Sequence, residues 1–391
     1  MAGVVEICQE LLRIPSLSGQ EKAVVERIEE FMKEFGFDEV NVDKYGNITG
    51  VINGNKPGKT LLFDAHMDVV PVSDEGSWSF PPFGGMISDG KVYGRGASDM
   101  KGSLSAMLAA GQKLATDRSF CGRVVVAGIV HEECFEGIAS REVSKSIKPD
   151  YVVIGEATQL KIACGQKGRV EIIVETFGKS AHSANPEKGV NAVLKMTRLI
   201  DRINTLPFSN HEKMGKGILA LTDIISTPYP GASVVPNHCR ATYDRRILAG
   251  ETREDVLRPF EEAIAALKKE DPEFEGRVSI AEGTELCYTG EEIKGERFFP
   301  PWILDTSDPF VEKAEKGLAK AGIEAVKSYY AFCTNGSHYA GEAGITTIGF
   351  GPSMESLAHV SNEYIEIQQL KLAAEGFFHI ARFVLDGYDE E

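Results

Sequence analysis

Five short stretches of this chain carry side chains whose types and spacing could do chemistry. In LLFDAHMDVV, His66 and Asp68 stand two residues apart, so on an extended chain leaving a strand they point the same way. GRGASDMKG ends a glycine-rich turn with Asp99 at the mouth of a helix, and GIVHEECFEG sets Glu132 and Glu133 directly after an apolar run. VVIGEAT places Glu156 after another such run, and GFGPSMESLAHVSNE supplies His359 just beyond TTIGFG. Carboxylates converging on one place repel one another and resist ionisation unless a cation compensates them. A His, Asp and Glu donor set suits zinc or a neighbouring first-row ion, and one shared carboxylate in an even mix suits two ions in one site.

Each residue alone has a plainer reading. His66 could be a satisfied structural histidine, Glu156 a strand-end surface carboxylate, and His359 with Asn362 and Glu363 a polar cluster at a helix entry. The motif order of the whole constellation favours a metal site over those readings. Gly94 and Gly96 also suggest a dinucleotide turn, but Asp99 stands where the third glycine belongs and would repel a pyrophosphate. Cys134 sits among carboxylates, the wrong surround for a thiolate nucleophile.

The elements that must position these residues are legible in the hydrophobic periodicity. Residues 19–35 place Val24, Ile28, Phe31, Met32 and Phe35 on one helical face, with Gly36 where a helix stops. Apolar runs at 60–63, 123–130 and 151–155, separated by a helical segment from about 100 to 115, predict a mostly parallel sheet covered by helices on both faces, an α/β fold. Ligands of such sheets gather at the carboxyl ends of the strands, where the acidic residues and histidines fall. From about 168 to 289 the pattern changes to strand 169–177, helix 189–203, strands 217–227 and 238–247, helix 252–269 and strand 277–282. That β-α-β-β-α-β order predicts a ferredoxin-like α+β insert. The core rhythm then resumes with a helix near 309–321, the run at 346–351 and a closing helix near 366–386. The expected organisation is a metal-binding catalytic domain over 1–167 and 290–391, interrupted by an insert over 168–289.

The chain has 391 residues, with 42 Lys plus Arg against 58 Asp plus Glu, a formal charge of −16. That length suits two domains. The acidity, without any basic stripe, argues against nucleic acid as a partner. Glu6 and Glu10 interrupt any leader-like apolar stretch, and no window offers the roughly 20 apolar residues of a membrane span. Seven scattered cysteines without a CxxC pair fit reduced thiols, so a cytoplasmic location and no membrane association are expected.

On these residues the chain resembles the M20 metallopeptidase and amidohydrolase family over nearly its whole length. The likeness is nearest in the acetylornithine deacetylase and succinyl-diaminopimelate desuccinylase branch, and within it to the YgeY-like hydrolases linked to selenium metabolism. The resemblance implies two divalent ions, zinc first and cobalt or manganese as alternatives. His66, Asp99 and Glu156 would hold one ion and Asp99, Glu133 and His359 the other, while Asp68 would orient His66 by a hydrogen bond to its far ring nitrogen. Glu132 would be the general base for metal-activated water attacking the amide bond of an N-acyl amino acid, short peptide or related carboxylated amide. His182 in GKSAHSANP would stabilise the oxyanion from the partner subunit of a homodimer, making the insert a lid and dimerisation domain. Arg246, with Arg245 as a competitor, would grip the substrate carboxylate, and Asn237, Asn335 and Ser337 are further candidate substrate contacts. Ser233 and His338 stand where the family usually has asparagine and aspartate. The competing reading is a non-catalytic metal- or peptide-binding homologue, which the presence of Glu132 disfavours.

Overall fold

A computed structural model describes residues 3–386. The chain divides into two compact units: one runs through Gln166 and resumes over Thr284–Gly295 and from Trp302 onward, and the other comprises Lys167–Gly283 with Glu296–Pro301. The insert was expected to run through residue 289. The hairpin of Glu282–Leu286 and Glu292–Glu296 passes mostly to the first unit because Cys287 and Ile293 are buried and Tyr288 and Thr289 donate to the carbonyls of Gly46 and Lys44.

The first unit is built on a nine-stranded sheet, in the order Glu39–Val42, Ile48–Asn53, Cys121–Ile129, Lys56–His66, Tyr151–Ile154, Thr346–Gly349, Ile162–Gln166 and Trp302–Ile303, with Lys327–Tyr330 also on Ile162–Gln166. The inner run from Cys121–Ile129 to Thr346–Gly349 is parallel, and Ile48–Asn53 flanks it antiparallel. Its strands are continuous apolar runs because both faces are covered. Phe63 packs edge-on against Phe377 of the closing helix Ile367–Asp386, while its neighbour Asp64, pointing the opposite way, takes hydrogen bonds from Asn335 and Tyr339. Register aligns His66 with Ile129, and Asp64 and Gly349 with Ile154, so the carboxyl ends of these strands lie level.

The first long helix begins at Lys22, three residues later than its apolar stripe suggests. Gly19 is left-handed and the Glu21 carboxylate turns back to accept from its amide, which makes 18–21 a turn. The helix stops as expected at Gly36, which is also left-handed.

The second unit has the predicted element order: Gly168–Phe177, Ala192–Ile203, Ile218–Thr227, His238–Ile247, Arg253–Glu270 and Glu275–Ile280. Its strands pair antiparallel in the spatial order Ile218–Thr227, His238–Ile247, Gly168–Phe177, Glu275–Ile280. Strict alternation along Gly168–Phe177 sends Val170, Ile172 and Val174 into a core closed by Met196, Leu199, Phe260 and Leu267 from the two helices. Thr252 and Asp255 form a reciprocal cap on the second helix. Among the described residues no helix is long and apolar enough to cross a membrane.

The Tyr243 hydroxyl is buried in this second core with no hydrogen-bond partner. An unpaired buried hydroxyl costs free energy that phenylalanine does not, so Tyr243→Phe should stabilise the protein by on the order of 1 kcal/mol. Urea denaturation checks this, and a lower midpoint for the variant would contradict it.

Candidate metal centre

Each of the level strand ends delivers a donor. His66 is the last residue of its strand, Glu132 and Glu133 lie in the turn after Ile129, Glu156 follows Ile154, and His359 lies in the loop after Gly349. Asp99 comes from the turn before the helix Lys101–Thr116, and its peptide bond to Met100 is cis. The two oxygens of Asp99 face two different histidines: Oδ1 is 2.8 Å from His66 Nε2 and Oδ2 is 3.1 Å from His359 Nε2. His66 Nε2 also lies 3.5 Å from Glu156 Oε1 and 3.9 Å from Glu132 Oε2, and His359 Nε2 lies 2.9 Å from Glu133 Oε2. His66, Asp99 and Glu133 form one set of donor atoms within 4.8 Å of one another, and His66, Glu132 and Glu156 form a second.

Burial makes this concentration of charge expensive. It pushes Glu132 well above the carboxylate range, partly countered by His66 and increased by Glu156, Glu136 and Glu133. Burial and then the charge of Asp99 raise Glu156 in the same way, and raise Glu133 to about 7. His66 is drawn upward although burial opposes it, by its hydrogen bond to Asp99 and the charges of Glu132, Asp99 and Glu156. Hydrogen bonds to Asp99 and Glu133 lift His359 to about 10. Asp99 alone is held low, burial being outweighed by the two imidazoles. Buried oxygens of Glu132 and Glu133 have no hydrogen-bond partner. The protons that hold His66 and His359 against Asp99 occupy the positions that divalent cations would compete for, so the donor set fits two ions sharing one carboxylate.

The role expected for Asp68 needs correction. The His66 Nδ1–H donates to the backbone carbonyl of Asp68 at 2.9 Å, while the Asp68 carboxylate is 3.6 Å from that nitrogen. The carboxylate instead accepts from the amides of Glu132 and Glu133 at 3.1 and 3.2 Å and from the Ser18 hydroxyl at 2.7 Å. The strand ends at His66, and beyond it the Asp68 carboxylate meets the amides of the Glu132–Glu133 loop rather than the ring. The ring is still oriented from behind, by a main-chain oxygen.

The substrate candidates divide. Asn335 is buried, its carboxamide accepting from the Gly137 amide and donating to Asp64, and Ser337 is buried beside Gly137. In this structure the Asn335 carboxamide braces the loop that carries Glu133. His338, at the departure from the family pattern, bonds Ser144 and Glu342. His182, Asn237 and Arg246 belong to the second unit. His182 and Asn237 are exposed, and His182 Nδ1 accepts from the Ala184 amide. Arg246 pairs with Asp244, whereas Arg245 is buried against Glu251.

Ser18 and Arg95 carry no signal in the sequence, and Glu363 reads there only as part of a polar cluster with His359. Ser18 bonds Asp68, Glu363 accepts from the amides of Ser98 and Asp99, and Arg95 bonds Glu363 and the Val360 carbonyl. His131, Ser353, His359 and Asn362 have left-handed backbones although none is glycine, conformations that persist where surrounding contacts impose them.

The model of peptidase family M20/M25/M40 matches residues 62–382. An uncharacterised protein, YgeY, from Escherichia coli (strain K12) is 34% identical over 370 residues, 93% of this chain and 89% of that protein. A succinyl-diaminopimelate desuccinylase from Cereibacter sphaeroides is 30% identical over 334 residues, 80% of this chain and 83% of its own length. Among solved structures, the M20 family metallo-carboxypeptidase Sso-CP2 from Sulfolobus solfataricus superposes with a TM-score of 0.76 at 17% identity, covering 98% of this chain and 99% of that one. YxeP from Bacillus subtilis, described as a dinuclear metal-binding peptidase of the M20 family, gives 0.73 at 15% identity, covering 98% and 97%. At those identities the structural likeness speaks for the fold.

Proton binding at Glu133 and His359 makes the stability of the metal-free protein depend on pH. Glu133 is raised from 4.5 to about 7, so the folded state holds more protons than the unfolded one and stability falls as pH rises through that interval. His359 is raised from 6.5 to about 10, and its contribution, complete below 6.5, is lost on the way to 10. Chelator-treated protein should therefore lose thermal stability from about pH 5 to pH 9, and added cobalt should restore it more strongly at higher pH as binding displaces protons. A metal-free midpoint that climbs with pH would contradict this electrostatic account.

Proposed function

Because the chain belongs to peptidase family M20/M25/M40, a family of metal-dependent hydrolases, we propose that it hydrolyses the amide bond of an N-acyl amino acid, a short peptide or a related carboxylated amide. The observation that carries this reading is the Asp99 carboxylate, shared between two histidines with glutamates beside each. His66, Asp99 and Glu156 would hold one divalent ion, and Asp99, Glu133 and His359 the other, with zinc the first choice and cobalt or manganese alternatives. Bound there, such ions polarise a carbonyl and acidify water.

The chain's own groups supply the proton transfers. Glu132 is buried and has a carboxylate oxygen without a hydrogen-bond partner, so in its ionised form it can take the proton of the attacking water and return it to the leaving amine. In His182 the Nδ1 acceptor role leaves the neutral ring's N–H on Nε2, a donor suited to a developing oxyanion. We assign that role to His182 of one protomer acting on its partner's site. The edge strand Ile218–Thr227, which exposes Ile218, Leu221, Ile224 and Ile225, supports a homodimer formed through it. Arg246 is the proposed grip for a substrate carboxylate, its guanidinium held by a hydrogen bond to Asp244. Seven cysteines in no disulfide among the described residues, together with the net charge of −16, support a cytoplasmic protein acting on small molecules, without nucleic acid or membrane as partner.

Assays of cobalt- or zinc-loaded protein on a panel of N-acetyl, N-succinyl and dipeptide substrates test the reading. Glu132→Gln should keep its metal content and lower kcat by roughly 10²–10⁴-fold. Wild-type activity in that variant would refute the base assignment, and metal binding without turnover of any substrate would favour the non-catalytic homologue. His182→Ala should also be impaired, and mixing it with Glu132→Gln protomers should restore activity, since one site of each mixed dimer has both residues. Failure of the mixture, with dimer exchange verified, would count against action between protomers.

A further inference from the structure

Asp99 and His359 come from loops far apart in sequence, and something must fix the separation between them. The strand Tyr364–Glu366 pairs antiparallel with Lys91–Tyr93, and the Gly94 amide donates to the Glu363 carbonyl at 3.0 Å. Directly beyond that pairing, Glu363 is completely buried, and each of its carboxylate oxygens is engaged. Oε1 accepts from the amides of Ser98 and Asp99 at 2.8 and 3.1 Å, and Oε2 accepts from Arg95 Nη1 at 2.6 Å. Arg95, itself buried, reaches the Val360 carbonyl at 3.3 Å with the same nitrogen, one residue beyond His359. The Ser98 hydroxyl donates to the Met354 carbonyl at the start of that loop.

A buried ion pair is a weak source of stability, because desolvating both charges costs about what their attraction returns. This pair is placed where it ties the main chain of the shared carboxylate to the main chain of a histidine facing it. Neither side chain is among the candidate ligands, and Glu363 stands to Asp99 as Asp68 stands to Glu132 and Glu133: a non-ligand carboxylate gripping the amides of a donor-bearing loop. We propose that Glu363, anchored by Arg95, is a positioning residue that sets the separation of Asp99 and His359 and so selectively governs binding of the second metal ion. The inference rests on the two-ion reading of the site.

The test is a cobalt(II) titration of metal-free, full-length protein, followed by calorimetry and by the visible absorption of the bound ion, on wild type, Glu363→Gln, Arg95→Lys and Ile365→Val. Ile365 is buried in the neighbouring strand, so trimming it perturbs packing without touching the clamp. Glu363→Gln should bind its first equivalent nearly as wild type does and its second about 10–100-fold more weakly, the usual effect of removing a group that orients metal ligands. Its absorption spectrum should change, and kcat should fall with KM nearly constant. Arg95→Lys should show the same selective loss in smaller measure, and carries the test if Glu363→Gln does not fold, while Ile365→Val should leave both equivalents intact. Two equivalents bound by Glu363→Gln with wild-type affinity and spectrum would overturn the proposal. Equal weakening of both, in step with lost thermal stability, would also overturn it by reducing Glu363 to a structural part. Should wild type itself take up fewer than two equivalents, the two-ion reading fails first, a result distinct from either.

Discussion

The constraint on which the first unit depends is electrostatic. Asp99, Glu132, Glu133 and Glu156 crowd two imidazoles at the level ends of parallel strands; His66, Glu132 and Glu156 are buried away from the water that would otherwise solvate them, while His359 lies on the exposed side. Carboxylates so arranged either take up protons or find a cation, and the upward displacement of Glu132, Glu133 and Glu156 is that choice expressed without a cation. A fold optimised for stability alone would not collect them. Parallel packing makes the collection possible, since every strand of the inner run points its carboxyl end the same way and its following loop inherits the position.

Holding loops to the accuracy such a site needs is a separate problem, solved by buried polar groups that are not themselves donors. Asp68 takes the two amides of the Glu132–Glu133 turn and is steadied by Ser18. Asn335 ties the same loop, at Gly137, to Asp64 inside the sheet, where burial pushes Asp64 up to about 6 even though Asn335 and Tyr339 hydrogen-bond it. Glu363 takes the amides leading into Asp99. In each case a side chain gives up contact with water to fix main chain, which locks a loop more firmly than side-chain packing alone.

Much of the architecture was legible because it follows from periodicity. The alternation in RVEIIVETF, the helical stripes and the element order of the second unit need only local pattern, and the convergence of residues after apolar runs follows from parallel topology. What escaped was non-local. Whether the Asp68 carboxylate meets the His66 ring or the next loop depends on the chain beyond the strand end at His66 and on amides more than 60 positions away, and Glu363 acts on amides more than 260 positions away. Asn335 has the right chemistry for a substrate contact, yet its carboxamide faces inward, a matter of rotamer and neighbours that residue type does not encode. The passage of Thr284–Gly295 to the first unit likewise depends on Tyr288 and Thr289 finding carbonyls at Gly46 and Lys44.

Anomalous diffraction from crystals grown with zinc or cobalt addresses the central claim most directly. The account requires two peaks roughly 3.5–4 Å apart, as in other paired-ion sites, with the Asp99 carboxylate between them and one histidine on each side. A single peak away from Asp99, or none at concentrations that saturate the protein in solution, would contradict it.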